Sequence, residues 1–101
     1  MSCCVGFVQA KQRIESVIAA FYPGDYKIFV ASREATADIT YKIRLGVVVK
    51  PDVDKNTSMF EELKKLESNT GNCIKVISSA INFKDEKLVD LFLLDVEAEV
   101  N

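Results

Sequence analysis

The stretch from Ile39 to Val49 constrains the fold of this chain more than any other, because apolar and polar side chains alternate through it. A period of two kept over this length predicts a long strand with one buried face and one exposed face. The exposed face carries Lys42 and Arg44, and Lys50 follows directly after the strand. The residues predicted on the buried face are Ile39, Tyr41, Ile43, Leu45, Val47 and Val49.

The same alternation returns near the C-terminus with charges of the opposite sign. Apolar residues at Leu94, Val96, Ala98 and Val100 alternate with Asp95, Glu97 and Glu99. We call Lys42, Arg44 and Lys50 the cationic stripe, and Asp95, Glu97 and Glu99 the acidic stripe.

Two stripes of opposite charge on one small domain predict that the stripes pair with each other. If their strands are neighbours, the pairs form within the chain and each contributes less than about 1 kcal/mol. If the strands lie apart, the stripes suit a head-to-tail contact between copies, the type of contact that closes rings. We therefore predict a subunit or partner interface at these six residues.

Length and composition indicate a single folded domain spanning residues 1–101. The chain is 49% hydrophobic and 28% charged, which is typical of globular proteins. Its net charge of -2 does not favour a nucleic-acid-binding protein, which normally has a strongly basic face. The apolar run from Val17 to Tyr22 is much shorter than the roughly 20 residues of a membrane span. The first residues lack signal-peptide features, so we expect a cytoplasmic protein without a membrane partner.

Hydrophobic spacing and stop signals divide the chain into six elements in the order α-β-β-α-β-β. We expect an α+β fold, with two helices packed on one face of a mainly antiparallel four-stranded sheet. The predicted elements are a helix from Gly6 or Val8 to Tyr22, a strand Tyr26–Ser32, the strand Ile39–Val49, a helix from Thr57 or Ser58 to Asn69, and strands Cys73–Phe83 and Leu88–Val100.

Several local features accompany these elements. Arg33–Ala37 is predicted as a connection and Val53–Asn56 as a polar loop. Ser58 and Glu61 form a capping box, with Thr57 as the alternative N-cap, and Glu61 pairs with Lys65 one turn later. Phase slips in the apolar pattern predict a bulge or bend near Ser78-Ser79 and another between Leu93 and Leu94.

The residue types do not indicate catalysis. Histidine is absent, and the four glycines are isolated, so neither a histidine base nor a phosphate-binding loop is expected. The acidic stripe lacks ligands from a third direction, so we expect no metal site there, and no cofactor. Tyr41 points away from the cationic stripe and cannot stack bases beside it. Cys3, Cys4 and Cys73 show no framework spacing, and we expect reduced thiols. The chain is therefore expected to be non-enzymatic.

The order of elements resembles the tail-terminator, or tail-completion, proteins of tailed bacteriophages. The similarity lies in pattern and covers most of the chain. It runs through RIESVIAAFYP (Arg13–Pro23), ADITYKIRLGVVV (Ala37–Val49), MFEEL (Met59–Leu63), Ile77–Phe83 and Leu91–Val100.

This resemblance implies a structural role in virion assembly. The protein would form a homo-oligomeric ring, typically of six subunits, that joins the tail tube to the head connector while DNA passes through the lumen without sequence-specific binding. It would be found in the host cytoplasm during assembly and then in the virion tail. The alternative is a small protein-binding or anti-defence inhibitor module from a virus or mobile element, which would bind one host protein.

Overall fold

Six elements form the fold in the computed structural model, which describes residues 6–36, 40–71, 73–84 and 87–99. They are α1 (Phe7–Phe21), β1 (Lys27–Ala35), β2 (Thr40–Val49), α2 (Val53–Asn69), β3 (Ile74–Lys84) and β4 (Lys87–Glu99). The predictions for Ile39, Val100, Asp85 and Glu86 lie outside the described residues.

The four strands form one antiparallel sheet in the order β1-β2-β4-β3, so β1 and β3 are the edge strands. Helix α1 lies over β4 and helix α2 over β3. The predicted α+β fold is confirmed. We call the sheet face that points away from the helices the outer face. The buried face of β2 is the predicted one, since Ile43, Leu45, Val47 and Val49 lie in the core.

Each helix buries a narrow apolar stripe. In α1 the buried residues are Ala10, Ile14 and Ile18, four residues apart and therefore on one side of the helix. The helix ends before Pro23, and Gly24 takes a positive φ of 74° in the following turn. In α2 the buried residues are Asn56, Met59 and Leu63.

The start of α2 differs from the prediction. Val53–Asn56 is the first turn of the helix and not a loop, because Asp52 is the N-cap and its carboxylate accepts a hydrogen bond of 3.0 Å from the backbone N–H of Lys55. The N-cap predicted at Ser58 or Thr57 is therefore wrong. Lys65 binds Glu62 at 2.7 Å, and not Glu61 as predicted.

Of the two predicted phase slips, the structure contains one. The register of β3 against β4 shifts between Val76 and Ser78, as predicted. The slip predicted in β4 is wrong, because β4 pairs with β2 without interruption from Asp90 to Glu99. The alternation of apolar residues suggested a slip because Leu91 and Leu93 are apolar although they lie on the outer face, where both are half-buried.

Strand β1 is longer than predicted and contains its own irregularity. It continues to Ala35, so most of the predicted connection is strand. Its register against β2 shifts between Val30 and Ser32, which makes Ala31 the extra residue of a bulge. The bulge changes the phase of the side-chain pattern, and this hid the second half of the strand from the alternation rule.

Cys73 is buried next to the first residue of β3, with 4% of its surface exposed. The expectation of a reduced thiol is wrong for this residue, because it is disulfide-bonded. The second cysteine of the bridge lies outside the described residues. An odd number of cysteines does not exclude a bridge between two of them.

Candidate protein-contact surface

The strands that carry the two stripes are neighbours in the sheet. In the antiparallel register of β2 and β4, Arg44 lies opposite Asp95 and Lys42 opposite Glu97. Cross-strand partners of this kind have side chains on the same face of the sheet. Of the two arrangements that the sequence left open, the structure therefore contains the one in which the stripes meet within the chain.

Arg44 and Asp95 form the centre of this contact. Arg44 Nε donates to Asp95 Oδ1 at 2.8 Å and Nη2 donates to Oδ2 at 3.2 Å, so the guanidinium holds both carboxylate oxygens. The Nζ of Lys42 lies 3.7 Å from Oδ2, an ion-pair distance that is too long for a hydrogen bond. Only 6% of the Asp95 side chain is exposed, against 40% of Arg44. The hydrogen bonds from Arg44 lower the pKa of Asp95, although its burial acts in the opposite direction.

The six predicted interface residues are thus not one surface. Lys42, Arg44 and Asp95 form one cluster, and Asp95 is buried within it. Glu97 and Glu99 are half-buried on the same strand face. Lys50 lies beyond the other end of β2, where its Nζ binds Asp25 at 2.8 Å, and that hydrogen bond raises the pKa of Lys50.

Sequence reasoning missed a second polar cluster, which lies under the first turn of α2. Asn56 Nδ2 donates to Asp90 Oδ2 and, at 2.9 Å, to the carbonyl oxygen of Lys50. The Tyr22 hydroxyl lies within hydrogen-bond distance of Asn56 Oδ1 and of the same carbonyl oxygen, the latter at 3.1 Å. Burial raises the pKa of Tyr22, and the charges of Asp52 and Asp90 add to that effect. The cluster ties both helices to the ends of β2 and β4.

Little in the sequence indicated that Asn56 and Asp90 would form a buried cluster. Asn56 fell in a predicted loop, where a polar residue needs no partner, and Asp90 interrupts an apolar strand. Within the described parts of the chain, no three metal-binding side chains converge on a possible cation site.

Strand β1 is poorly covered. Eight of its nine residues are exposed, including Phe29 at 45% and Val30 at 56%. Phe29 lies on the outer face, and its ring covers Gly46, where a Cβ atom would come within 2.3 Å of the ring. Val30 lies on the helix side, opposite the buried Leu45.

A groove runs along the helix side of β1. Its volume is about 510 Å³, and it lies between the start of α1 and the edge of the sheet. Its lining is mainly apolar, with Gln9, Arg33 and Glu99 at its polar positions. The residues that line it are Gly6, Phe7, Val8, Gln9, Val30, Arg33, Ile43 and Glu99. An apolar edge strand beside an apolar groove is a surface suited to contact with protein.

Neither helix in the described residues is long and apolar enough to cross a membrane. Comparison with family models, curated proteins and solved structures finds no match to this chain.

Proposed function

We propose that this protein is a non-enzymatic assembly subunit, whose function lies in the contacts it makes with other copies of itself and with neighbouring proteins. The observation that carries the proposal is β1, an edge strand exposed on both sides with Phe29 and Val30 near its middle. Proteins that remain monomeric generally cover or charge such an edge, because its free backbone groups and apolar side chains pair readily with other strands. The middle of β1 carries no charge that would keep another strand away, which is consistent with an edge that binds a protein partner.

The specific form proposed is that of a phage tail-terminator-like ring. The element order α-β-β-α-β-β supports it, since this is the order on which the resemblance rests. In that setting the partners are further copies, six in all for the ring, the tail-tube protein and the head connector, with DNA passing through the lumen. The disulfide of Cys73 supports a location in the released particle, because virion surfaces retain disulfides that the cytosol reduces.

The charged stripes support the proposed ring less than the sequence suggested. Arg44 and Asp95 neutralise each other inside the chain, so a head-to-tail contact made by free stripes would lack its strongest pair. Lys42, with half of its side chain exposed, and Glu97 remain on the outer face for contact with a neighbour.

The same observation favours a second candidate, a small protein-binding or inhibitor module. An exposed strand edge can accept a strand from a different protein as well as from a second copy. Such a module would be monomeric or dimeric alone and would bind one host protein in a fixed ratio.

The experiment that separates these functions is light scattering on a size-exclusion column, repeated across protein concentration and salt. The assembly proposal predicts masses that rise beyond a dimer of the 11.3 kDa chain as concentration increases, and six chains for the ring, whereas the module would stop at one or two chains. A monomer at every concentration up to about 1 mM, which corresponds to a free energy of association weaker than about 4 kcal/mol, contradicts the assembly proposal.

A further inference from the structure

We propose that two copies of this chain join through their β1 strands, antiparallel and edge to edge, in one register that the bulge at Ala31 selects. The inference rests on the proposed function, because it names the surface by which the subunit contacts a second copy. It concerns an isologous contact, in which each copy contributes the same residues about a twofold axis. Six copies that contained this contact would form three such pairs with two identical ends, so the contact belongs to the general assembly proposal and not to a head-to-tail ring.

The outer edge of β1 is available to a second strand. The sheet order places β1 at its border, with β2 as its strand partner among the described residues. Charged residues lie only towards the ends of β1, at Lys27, Arg33 and Glu34. The middle four residues, Phe29 to Ser32, are uncharged and exposed. A second strand would therefore meet no charge where the two strands cross the twofold axis.

The pairing with β2 assigns each β1 residue to the outer face or to the helix side of the sheet. Before the bulge, Lys27 and Phe29 lie on the outer face, opposite Val48 and Gly46. Because Ala31 is an extra residue, the outer face continues at Ser32 and Glu34. The helix side carries Ile28, Val30, Arg33 and Ala35, whose partners in β2 are Val47, Leu45, Ile43 and Tyr41.

The faces of β1 restrict the register in which two copies of the strand can pair. Residues directly opposite in an antiparallel pair point to the same face, so each outer residue of β1 must meet an outer residue of the second copy. A bulge usually discourages pairing at an edge, but here its main effect is to restrict the choice of register. One register that preserves the faces pairs Lys27 with Glu34, Ile28 with Arg33, Phe29 with Ser32, and Val30 with Ala31.

Two registers keep the faces matched on both sides of the bulge, and charge selects this one over the other. In it Lys27 of each copy meets Glu34 of the other, which gives two ion pairs related by the twofold axis. Val30 meets the small side chain of Ala31 at the centre. The alternative register, shifted along the strand, sets Phe29 against Glu34 and Val30 against Arg33, and it contains no pair of opposite charges. The groove beside Val30 then continues from one copy into the other.

The contact should be modest in strength. A strand pair and its flanking side chains bury less area than a typical stable interface, so we expect a dissociation constant of about micromolar order or weaker. The dissociation constant is measured by sedimentation equilibrium at about 1 µM to 1 mM protein. The variant that tests the contact is Val30→Lys, which places a charge beside the twofold axis.

The matched control is Val53→Lys, which changes another exposed valine, at the first residue of α2; 79% of Val53 is exposed, against 56% of Val30. We expect Val30→Lys to weaken self-association by at least about tenfold, and Val53→Lys by less than about twofold. If the wild-type chain self-associates and Val30→Lys has no effect, the β1 contact is wrong and the proposed function stands. If the wild-type chain is monomeric throughout, both are wrong.

A charge exchange tests the register itself. Lys27→Glu and Glu34→Lys should each weaken the dimer by about three- to tenfold, and the double variant should recover most of the loss. Glu34 also lies opposite Lys42 within the chain, so Glu34→Lys introduces one intrachain repulsion that the double variant shares. The informative comparison is therefore between Glu34→Lys and the double variant. Absence of recovery, with both variants folded by circular dichroism, contradicts the register.

Discussion

Arg44 and Asp95 lie directly opposite each other on β2 and β4, and the guanidinium of Arg44 holds both oxygens of a carboxylate that is almost entirely buried. This pair joins the two central strands on the outer face of the sheet. It also limits what the charged stripes can bind, because Arg44 and the buried Asp95 bind each other and are not free to contact a neighbouring molecule.

Replacing Arg44 should destabilise the fold more than an ordinary surface substitution. In Arg44→Leu, the buried Asp95 carboxylate loses two hydrogen bonds, and Lys42, at 3.7 Å, is the ion-pair partner that remains to it among the described residues. We expect a loss of about 1–3 kcal/mol in the free energy of unfolding, since half-exposure of Arg44 limits the effect. Urea denaturation measures it.

The control is Lys65→Leu, which removes an exposed ion pair with Glu62. That change should cost less than about 1 kcal/mol. Equal losses for the two variants would show that Asp95 does not depend on Arg44.

The dependence of stability on pH follows from the same pair. The folded-state pKa of Asp95 is lowered from its ordinary value near 3.8, chiefly by the hydrogen bonds from Arg44. A lowered carboxyl pKa contributes stability that is fully present above the unfolded-state value and is lost as the pH falls through the folded-state value. Glu67 acts in the same direction, because the backbone N–H of Val76 donates to it at 3.1 Å and lowers its pKa from 4.5.

We therefore expect the free energy of unfolding to fall between about pH 5 and about pH 2. Arg44→Leu should flatten the curve at its acid end, because Asp95 no longer has a lowered pKa. Lys65→Leu should keep the wild-type shape. Denaturation series at half-unit pH steps measure both, and parallel curves for wild type and Arg44→Leu would contradict the assignment.

How far the sequence predicted these features depends on how local they are. The faces of β2 and the bulge in β3 were predicted correctly, because alternation and its interruption are properties of one strand. Pairing of the two stripes within the chain was one of two arrangements that the sequence left open, because neither strand specifies its neighbour, and the register that joins Arg44 to Asp95 depends on β4 lying beside β2.

The errors have physical causes of the same kind. The slip predicted in β4 arose because Leu91 and Leu93 are apolar on a face that also carries charges. The start of α2 was missed because its first turn is exposed except for Asn56, so it shows no apolar stripe; Asn56 is buried against Tyr22 and Asp90. The exposed β1 was recognised only in part, because the bulge at Ala31 reverses its pattern.

Asn56 should be among the most sensitive polar residues of the chain. Asn56→Ala leaves the Asp90 carboxylate without its donor and removes a neighbour from the Tyr22 hydroxyl. Asp90 Oδ1 is already buried without a hydrogen-bond partner among the described residues, so the second oxygen would be left in the same state. We expect a loss of about 2–4 kcal/mol. Asn69→Ala, at the exposed end of α2, is the control and should cost less than about 0.5 kcal/mol. Thermal unfolding of the two variants compares them.

Gly46 and Phe29 should be energetically coupled. A Cβ at position 46 would lie 2.3 Å from the Phe29 ring, so Gly46→Ala must push the ring off the outer face. In the Phe29→Ala background that obstacle is gone, and alanine suits a strand better than glycine. A double-mutant cycle should give a coupling of about 0.5–2 kcal/mol. Additive effects within about 0.3 kcal/mol would show that the ring does not rest on Gly46.

Hydrogen exchange tests the central claim, that this chain acts through the free edge of β1, most directly. Amide exchange across Lys27–Ala35 is followed while protein concentration is raised over the range in which the mass increases. Outward-facing β1 amides should become protected in step with the mass, while amides at the N-terminus of α2 should not change. A mass increase that leaves the β1 amides exchanging as fast as in the monomer would contradict the claim.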